Sequence, residues 1–465
     1  MLERMAKPRA LALAALLLLQ LGFVAGVGVY WEGGVLDTEA TLFVTSYLDE
    51  RPFLRQVFDP DRNDFENYQA RELSYAFDWA DARVLDWLFR RGLVLLVPLS
   101  ALVGSLALLV VIPVAVRPAF PELPATTAGL ALLVYLSHFV FLSSAGLFYR
   151  SGKILLVPIL LALAALVVRA ARRGEPEWRG RRLLHGAVIF ALSCLASLLD
   201  RQGFFEVGVA TVVVGAFLVC GRRLPATLVG LASALAAAIG YNLWLAPLLV
   251  ERLNGYRPGF QYQTLDVERL LHRPVRLSQA AELLASYAET LLGGIPAAAL
   301  GALAAAVAVA WLVRPGRRRP RVAVLAAAVA VVVAHGLMLV IMIHRHKAMY
   351  TMPDHRLAYY PLVFEGVLLF ALCALLALVI RLWGRPAQLL ANAALALIVV
   401  ANVLAWPRHR ARMEPWFPDQ ERQSAFLKRS LERGEVEPEM HEYYRSTFVV
   451  LTTRRASGGS PRPPR

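Results

Sequence analysis

Long runs of apolar residues, separated by shorter polar stretches, follow one another along most of the chain. The runs are about 18 to 25 residues long, which suits helices that cross the roughly 30 Å hydrocarbon layer of a membrane. The pattern predicts eleven spans at about 10–29, 92–116, 127–147, 154–171, 183–199, 204–220, 225–249, 292–313, 322–343, 361–381 and 387–406. We therefore expect an all-α fold, a polytopic transmembrane helix bundle.

Positive residues cluster in alternate loops between these runs, and such loops stay on the cytoplasmic side of a membrane. The clusters are Arg4, Lys7 and Arg9, then 169–182, 222–223, 314–321, and finally Arg381 and Arg385. Their alternation predicts a cytoplasmic N-terminus, and eleven spans then place the C-terminal tail outside. Arg117 alone follows the second span, so that loop supports the orientation only weakly, and the basic stretch 408–412 runs against the rule on the outer side.

The composition supports a membrane protein and changes the meaning of the charge. Hydrophobic residues make up 58% of the chain and charged residues 18%, whereas soluble proteins carry about 25% charged residues. The net charge of +15 would by its sign suit nucleic acid. Because the charge lies in short loops at span ends, it predicts orientation in a membrane and no nucleic-acid partner. Soluble, fibrous, disulfide-scaffolded and disordered classes are excluded.

Three of the predicted outer segments are long: 30–91, 251–291 and the tail from residue 407. Within the first, 67–91 predicts an amphipathic helix on the membrane surface. Its apolar positions at helical spacing are Leu73, Phe77, Ala80, Val84 and Leu88. Segment 278–292 predicts a similar helix.

The domain organisation follows from these segments. Residues 1–406 form the transmembrane domain, 407–455 a small extracytoplasmic segment, and 456–465 a disordered end. In the tail we expect a helix at 419–433 and a strand at 446–452.

The first outer loop is acidic, with 13 of the 34 acidic residues of the chain. Asp37 and Glu39 follow the first span closely enough to lie near lipid head groups. One carboxylate could accept a proton from a hydroxyl while the other orients it, and both could bind a divalent cation such as Mg²⁺ or Mn²⁺. The ordinary alternative is a pair of solvated loop carboxylates. Asp64 and Glu66 belong to a second acidic group, which could bind a cation or cap a helix.

Cationic groups recur on the same predicted side, beside the tenth span. Arginine suits bidentate contacts with phosphate, and lysine and histidine add positive charge. The residues of this loop that we select are Arg345, Lys347, His355, Arg356 and Tyr359. The short outer turn between the fifth and sixth spans adds Asp200 and Arg201, which could also be a salt-bridged hairpin.

Together these motifs resemble the GT-C superfamily, the multi-span glycosyltransferases that use polyprenyl-phosphate sugars, such as the protein O-mannosyltransferase and aminoarabinose transferase types. Asp37-Thr38-Glu39-Ala40, with the run to Leu48, is similar to the acidic first outer loop of that superfamily. The turn 198–205 resembles a short outer turn in which Arg or Lys precedes a Gly. Segment 355–361 resembles a late loop that leads through Pro361 into a span. The Asp-x-Glu spacing departs from a pair of adjacent acids, and no subfamily is assigned.

The resemblance implies a function and a set of roles. The donor would be a sugar on a polyprenyl phosphate at the outer leaflet of a bacterial inner membrane, and the acceptor an envelope lipid, glycan or protein. Asp37 would be the general base, and Glu39 would orient the acceptor or share a cation. The departing phosphate would be stabilised by Arg201, Arg345, Lys347, His355 and Arg356. Attack opposite the phosphate would invert the anomeric centre.

Two other classes remain open. A lipid or solute transporter would need polar groups inside the spans, and the candidates are His138, Asn242, His335 and Glu365. A non-catalytic envelope scaffold could dock partners on 251–291 and on the tail. The chain has no P-loop, dinucleotide-binding glycine pattern, His-Glu-x-x-His or Gly-x-Ser-x-Gly motif, so it carries no sign of an ATP-driven pump, a redox enzyme or those hydrolases.

Overall fold

A computed structural model of the chain describes residues 18, 47–48, 51–58, 71–89, 98–146, 151–219, 224–255, 277–314, 318–344, 361–413 and 417–456. Every regular element in these ranges is a helix, and no strand occurs among them. The α-helices are α1 (Phe53–Val57), α2 (Glu72–Phe89), α3 (Leu99–Val111), α4 (Arg117–Ala119), α5 (Ala125–Ser137), α6 (Phe139–Gly146), α7 (Ser151–Arg173), α8 (Arg179–Leu199), α9 (Arg201–Val219), α10 (Pro225–Gly240), α11 (Ala246–Asn254), α12 (Leu277–Leu291), α13 (Ala297–Val313), α14 (Arg318–His344), α15 (Leu362–Trp383), α16 (Arg385–Met413), α17 (Phe417–Arg433) and α18 (Glu442–Ala456).

Two π-helical turns join neighbouring helices into longer rods. Ile112–Val116 links α3 to α4, and Tyr241–Leu245 links α10 to α11. Pro113 lies inside the first turn. Because proline has no N–H to donate, it removes one bond of the α-helical ladder at that point.

Seven apolar helices are long enough to cross a membrane. They are Leu99–Ala119, Gly152–Arg173, Arg179–Leu199, Arg201–Leu218, Pro225–Asn254, Leu362–Trp383 and Arg385–Arg408. Shorter apolar helices occupy Ala125–Ser137, Ala297–Val313 and Val324–Val340. Each predicted span except the first coincides with one of these helices, and the first, apart from Leu18, lies outside the described residues. The chain is therefore an all-α helical membrane protein.

The bundle has two apolar cores that share α7. The larger is built from α3, α5, α6, α7, α15 and α16, with Leu108, Tyr135 and Phe141 fully buried. The second lies where α7 meets α8, α9 and α10, around Ile189 and Val207. Pro158 lies inside α7, which packs against α3, α8, α9 and α15.

Helix ends gather at two opposite ends of the bundle. At one end Arg172 of α7 contacts Glu122 in the turn between α4 and α5, and so does Arg381 of α15. Arg314, which follows α13, donates to the Leu382 carbonyl at 2.7 Å. We call this the Glu122 end. The start of α7 and the turn between α8 and α9 lie at the other end, which we call the Asp200 end after its central residue. Neighbouring helices α7, α8 and α9 therefore alternate in direction, and which end faces the cytoplasm stays a prediction.

Two predicted elements differ from the structure. The predicted span 127–147 is interrupted at His138, whose extended backbone (φ −73°, ψ 143°) separates α5 from α6. The strand predicted at 446–452 is wrong, because these residues lie inside α18. A short run of β-branched residues does not distinguish strand from helix by itself. Packing against α17 decides it, since Tyr444, Thr447 and Phe448 are buried at helical spacing.

Other predicted elements are confirmed. The amphipathic segments at 67–91 and 278–292 are helical as α2 and α12, and the tail helix at 419–433 is α17. The last span continues as helix through Pro407 to Met413. The end of the tail beyond Ala456 lies outside the described residues.

Candidate functional site

Asp200 lies in the one-residue break between α8 and α9, at the Asp200 end. Its extended backbone ends α8, and its Oδ1 accepts a hydrogen bond from the Gln202 backbone N–H at 2.9 Å. This is N-capping of α9 by a carboxylate, which the positive end of a helix favours. Arg201 is the first residue of α9. The predicted turn between the fifth and sixth spans is therefore present as the break between α8 and α9.

Two cations from distant parts of the chain lie beside Asp200. The Lys153 ammonium, at the start of α7, is 3.7 Å from Asp200 Oδ1 and donates to Gln202 Oε1 at 3.0 Å. The Arg71 guanidinium, just before α2, is 3.9 Å from Asp200 Oδ2. Arg71 Nε also donates to the Tyr75 hydroxyl at 3.0 Å. Lys153 and Asp200 are 5% and 6% exposed, so these charges interact away from bulk water. We call Arg71, Lys153, Asp200 and Gln202 the Asp200 cluster.

Two glycines allow the helices around this cluster to approach. A Cβ on Gly152 would lie 2.3 Å from Ser74 Oγ of α2 and 3.0 Å from the Leu199 carbonyl of α8. A Cβ on Gly203 would lie 2.0 Å from the Ala196 carbonyl. Since real side chains do not approach so closely, any larger residue must push these helices apart. The close approach of α8 and α9 therefore explains why the predicted turn carries a glycine, Gly203, shortly after Arg201.

The side of α2 that faces the protein is acidic. Glu72, Asp78 and Asp81 are buried, whereas Leu73, Phe77, Ala80 and Val84 of the predicted apolar stripe are only half-buried. Asp81 accepts hydrogen bonds from the Ser100 backbone N–H at 3.0 Å and from the Ser100 hydroxyl, and so caps α3 from a neighbouring helix. Burial raises the pKa of Asp81 to about 7, although the bonds from Ser100 favour its charged form. Tyr241 lies within hydrogen-bonding reach of Glu72.

A large apolar cavity begins close to this cluster. Its volume is about 1120 Å³, and α7, α9, α13, α14 and α15 contribute most of its wall. The wall is mainly alanine, valine and leucine. Along α15 the lining runs from Val363 to Arg381, which is about 27 Å at 1.5 Å per residue. The cavity thus extends over most of the thickness of a bilayer core, roughly 30 Å.

A buried polar pair lies on the wall of this cavity toward the Asp200 end. His335 Nε2 of α14 pairs with Glu206 Oε2 of α9, and both side chains are buried. Glu206 Oε1 has no hydrogen-bond partner among the described residues. Glu206 is five residues after Arg201, and the lining residue Val157 is four after Lys153. The end of the cavity that is nearer the Asp200 end is therefore about 6 to 8 Å along the helices from the Asp200 cluster.

The other polar residues predicted inside spans lie beside polar groups, although the side-chain polar atoms of His138 and Glu365 make no hydrogen bond of good geometry among the described residues. His138 Nδ1 is 3.1 Å from Glu365 Oε2, and both side chains are buried. The side-chain amide of Asn242 donates to the Ala238 carbonyl of its own helix at 2.8 Å. These residues are tied into helix packing.

Most of the sequence-predicted site residues lie outside the described residues. These are Asp37, Glu39, Asp64, Glu66, Arg345, Lys347, His355, Arg356 and Tyr359. Of the predicted set, the structure describes Asp200 and Arg201, which are neighbours at the Asp200 end. Among the described residues, no three potential His, Cys, Asp or Glu ligands come together to hold a metal ion. The predicted cation ligands Asp37 and Glu39 are not part of that range.

Sequence reasoning missed Lys153, Arg71 and the acidic side of α2. A signal for Lys153 was present, because a lysine at the predicted outer end of a span runs against the positive-inside rule. Arg71 had no comparable signal, since its contact with Asp200 joins residues far apart in the chain. No protein-family model matches this chain, and no curated protein or solved structure matches it either.

Proposed function

We propose that the chain is an integral-membrane glycosyltransferase that takes a sugar from a polyprenyl phosphate and transfers it to an envelope acceptor. The observation that supports this most is the apolar cavity, which ends close to the buried cations of the Asp200 cluster. Such a cavity suits a long hydrocarbon chain, and the neighbouring cations suit the phosphate at its head. The proposal places the Asp200 end outside, facing away from the cytoplasm of a bacterial inner membrane.

The length of the cavity favours a polyprenyl chain over an ordinary acyl chain as its main occupant. One leaflet supplies half of the hydrocarbon layer, or roughly 15 Å. The lining of α15 extends over about 27 Å, so one acyl chain would leave much of the cavity unfilled. A polyprenyl chain is long enough to fill it.

The proposed reaction uses residues at the outer membrane surface. The bond between the anomeric carbon and the phosphate oxygen breaks, and the acceptor oxygen forms the new bond from the opposite face. Asp37 takes the proton of the acceptor hydroxyl, and Glu39 orients that hydroxyl. Lys153, Arg71 and Arg201 stabilise the departing polyprenyl phosphate, together with the cationic loop of Arg345, Lys347, His355 and Arg356.

The apolar wall weakens the alternative of a lipid or solute transporter. A charged head group that crossed the membrane in this cavity would lose its hydration against alanine, valine and leucine, which is costly. Away from the charged residues of the Glu122 end, Glu206 and His335 form a polar pair on that wall, and they bond to each other. A non-catalytic envelope scaffold would give no reason for a cavity beside buried cations.

Binding of the carrier lipid gives the first test. The purified full chain in nanodiscs is offered a long-chain polyprenyl phosphate or the corresponding polyprenol, which lacks the phosphate. Charge-assisted hydrogen bonds of about 1.5–3 kcal/mol should make the phosphate bind roughly 10 to 100 times more tightly. Lys153→Gln should remove most of that preference, and Lys428→Gln on the exposed surface of α17 should keep it. Equal binding of the two lipids by the unaltered chain would overturn the phosphate site.

Transfer itself gives the second test. Membranes that contain the chain are supplied with radiolabelled polyprenyl-phosphate mannose or polyprenyl-phosphate arabinose, and label in envelope lipid, glycan and protein is measured. Loss of a general base lowers the rate by about 10² to 10⁴, so Asp37→Asn should nearly abolish transfer. Full transfer by Asp37→Asn would reject the assigned base. If, for both donors, the same amount of label enters envelope acceptors with and without the chain, the result would count against the glycosyltransferase proposal.

A further inference from the structure

The far end of the same cavity, at the Glu122 end, is lined by positive charge. Arg172 of α7, Arg321 of α14 and Arg381 of α15 all contribute to the lining there. Glu122 is the carboxylate that faces them among the lining residues at this end. Three arginines from three helices thus face one carboxylate at the mouth of an apolar cavity.

Glu122 is largely neutralised by one of the three. Its Oε1 accepts a hydrogen bond from Arg172 Nη2 at 2.7 Å, and the same oxygen is 3.7 Å from Arg381 Nη1. Burial opposes ionisation of Glu122, but the hydrogen bond and charge of Arg172, with Arg381, lower its pKa. Glu122 therefore stays charged and mainly pairs with Arg172.

The charge of Arg381 is largely available to interact with a ligand at the mouth of the cavity. Its side chain is 58% exposed, so the long contact to Glu122 is weak in water. Arg321 lies across the mouth and is positioned by its hydrogen bonds to the Trp311 and Arg314 carbonyls, at 2.9 and 2.8 Å. Its guanidinium also lies over the Trp311 ring, 6.0 Å from the centroid. Tryptophan at this depth is typical of a membrane–water interface.

From this arrangement we infer that the Glu122 end of the cavity is a binding site for an anionic phospholipid. The head-group phosphate contacts Arg381 and Arg321, and one acyl chain lies against the apolar wall. Basic pockets between transmembrane helices are known to receive such head groups. Charge complementarity selects an anionic lipid over a zwitterionic one, because a positively charged head group would meet the same arginines.

The length of the cavity between the Glu122 end and the buried pair of His335 and Glu206 can hold one acyl chain. Along α14 the lining runs from Arg321 to His335, a rise of about 21 Å at 1.5 Å per residue. An acyl chain from one leaflet extends about 15 Å, so its end stops before the buried pair of His335 and Glu206. The polar pair therefore does not have to contact hydrocarbon from this lipid.

The site is separate from the proposed transfer chemistry, which lies at the opposite end of the bundle. It requires no sugar, no acceptor and no particular reaction. It does share the cavity with the proposed polyprenyl chain, so the two lipids should compete where both are present.

The head-group part is tested with the delipidated full chain in neutral detergent. Thermal unfolding is followed with phosphatidylglycerol, with phosphatidylcholine, or with glycerol phosphate alone. We expect a rise in Tm with phosphatidylglycerol, a much smaller rise with phosphatidylcholine and none with glycerol phosphate. Arg381→Gln should reduce the apparent affinity for phosphatidylglycerol about 10-fold, whereas Arg385→Gln, an exposed arginine at the same end that does not line the cavity, should leave it unchanged.

The chain part is tested by filling the cavity. Ala328 of α14 lines it and Ala330 of the same helix does not, and both are exposed to the surroundings of the helix. Ala328→Phe should abolish the rise in Tm with phosphatidylglycerol, and Ala330→Phe should keep it.

Two results would contradict the head-group part. An equal loss of affinity for phosphatidylglycerol in Arg381→Gln and Arg385→Gln would show that the effect comes from surface charge alone. Equal stabilisation by glycerol phosphate would show a free phosphate site, and either result would overturn the lipid site.

Discussion

Two glycines of α9 differ in what a side chain would meet. At Gly203 a Cβ would collide with the Ala196 carbonyl of α8, whereas at Gly208 no atom lies within 4 Å. We expect Gly203→Ala to lower the free energy of unfolding by about 1–3 kcal/mol, because backbone cannot move aside cheaply. Gly208→Ala should be neutral or stabilise by up to about 1 kcal/mol, since alanine is the better helix former. Thermal unfolding in detergent compares the two, and equal effects would contradict the close approach.

Asp81 should make stability depend on pH. Its pKa is about 7 in the folded chain, against 3.8 for the ordinary group, because the side chain is buried. The folded state therefore holds the proton more tightly, so this contribution to stability is complete below about pH 4 and is lost as pH rises through 7. The loss is at most about 4 kcal/mol.

Asp81→Asn is the matching variant, since an amide keeps the shape of the protonated acid and an acceptor for the Ser100 N–H. Between pH 5 and 8 the unaltered chain should lose stability faster than the variant when unfolding is followed in detergent. Parallel pH profiles would show that Asp81 does not titrate in this range.

At the scale of single residues, the sequence identified Asp200 and Arg201 because they stand together in a short turn between two apolar runs. It did not identify Lys153 and Arg71 as their neighbours. A contact across 49 residues, as between Lys153 and Gln202, has no local signature, because it depends on how α7 packs against α8 and α9.

At the scale of elements, the break between α5 and α6 is held by side chains from α16. The Asn402 amide donates to the carbonyls of Val134 and Leu291, both at 3.2 Å, and Trp406 Nε1 donates to the Ser137 carbonyl at 3.3 Å. Carbonyl groups freed by a broken helix inside a membrane need such donors.

Replacement of Asn402 tests this support. Asn402→Leu should lower stability by about 1–3 kcal/mol, because it removes a donor from the Leu291 carbonyl and one of the two side-chain donors, Asn402 and Ser137, to the Val134 carbonyl. Asn392→Leu on the same helix removes only a part-buried hydrogen bond with Thr127 and should cost less, about 0.5–1.5 kcal/mol. Thermal unfolding of both variants gives the comparison, and a larger loss for Asn392→Leu would refute the role of Asn402.

Helices were easier to predict than their interruptions and orientations. Apolar length and periodicity located α7, α15 and the amphipathic α2, because these depend on nearby residues. The break at His138 and the burial of the acidic side of α2 depend on partners elsewhere, such as Asn402 and Ser100. The β-branched run in α18 was misassigned for the same reason, since its partner is α17.

At the scale of the whole molecule, the two ends of the bundle should lie on opposite sides of the membrane. In a background without the three native cysteines, Glu177→Cys places a thiol at the Glu122 end and Arg252→Cys one at the Asp200 end. A membrane-impermeant maleimide should label Arg252→Cys in intact cells and Glu177→Cys only after permeabilisation, because the positive-inside rule predicts that the basic loops are cytoplasmic. The reverse pattern would invert the predicted orientation, and labelling of both in intact cells would contradict alternation.

The sequence by itself determined that this is a helical membrane protein and where most of its apolar helices lie, and it predicted their orientation in the membrane. Those properties depend on runs of apolar residues and on local charge, which bilayer thickness and the cost of moving arginine across it convert directly into structure. Only the tertiary structure decided that Lys153 and Arg71 meet Asp200, that α2 turns its acids inward, and that five helices leave a long apolar cavity with arginines at its far end. These depend on which helix faces pack together, and no local pattern in the chain specifies that.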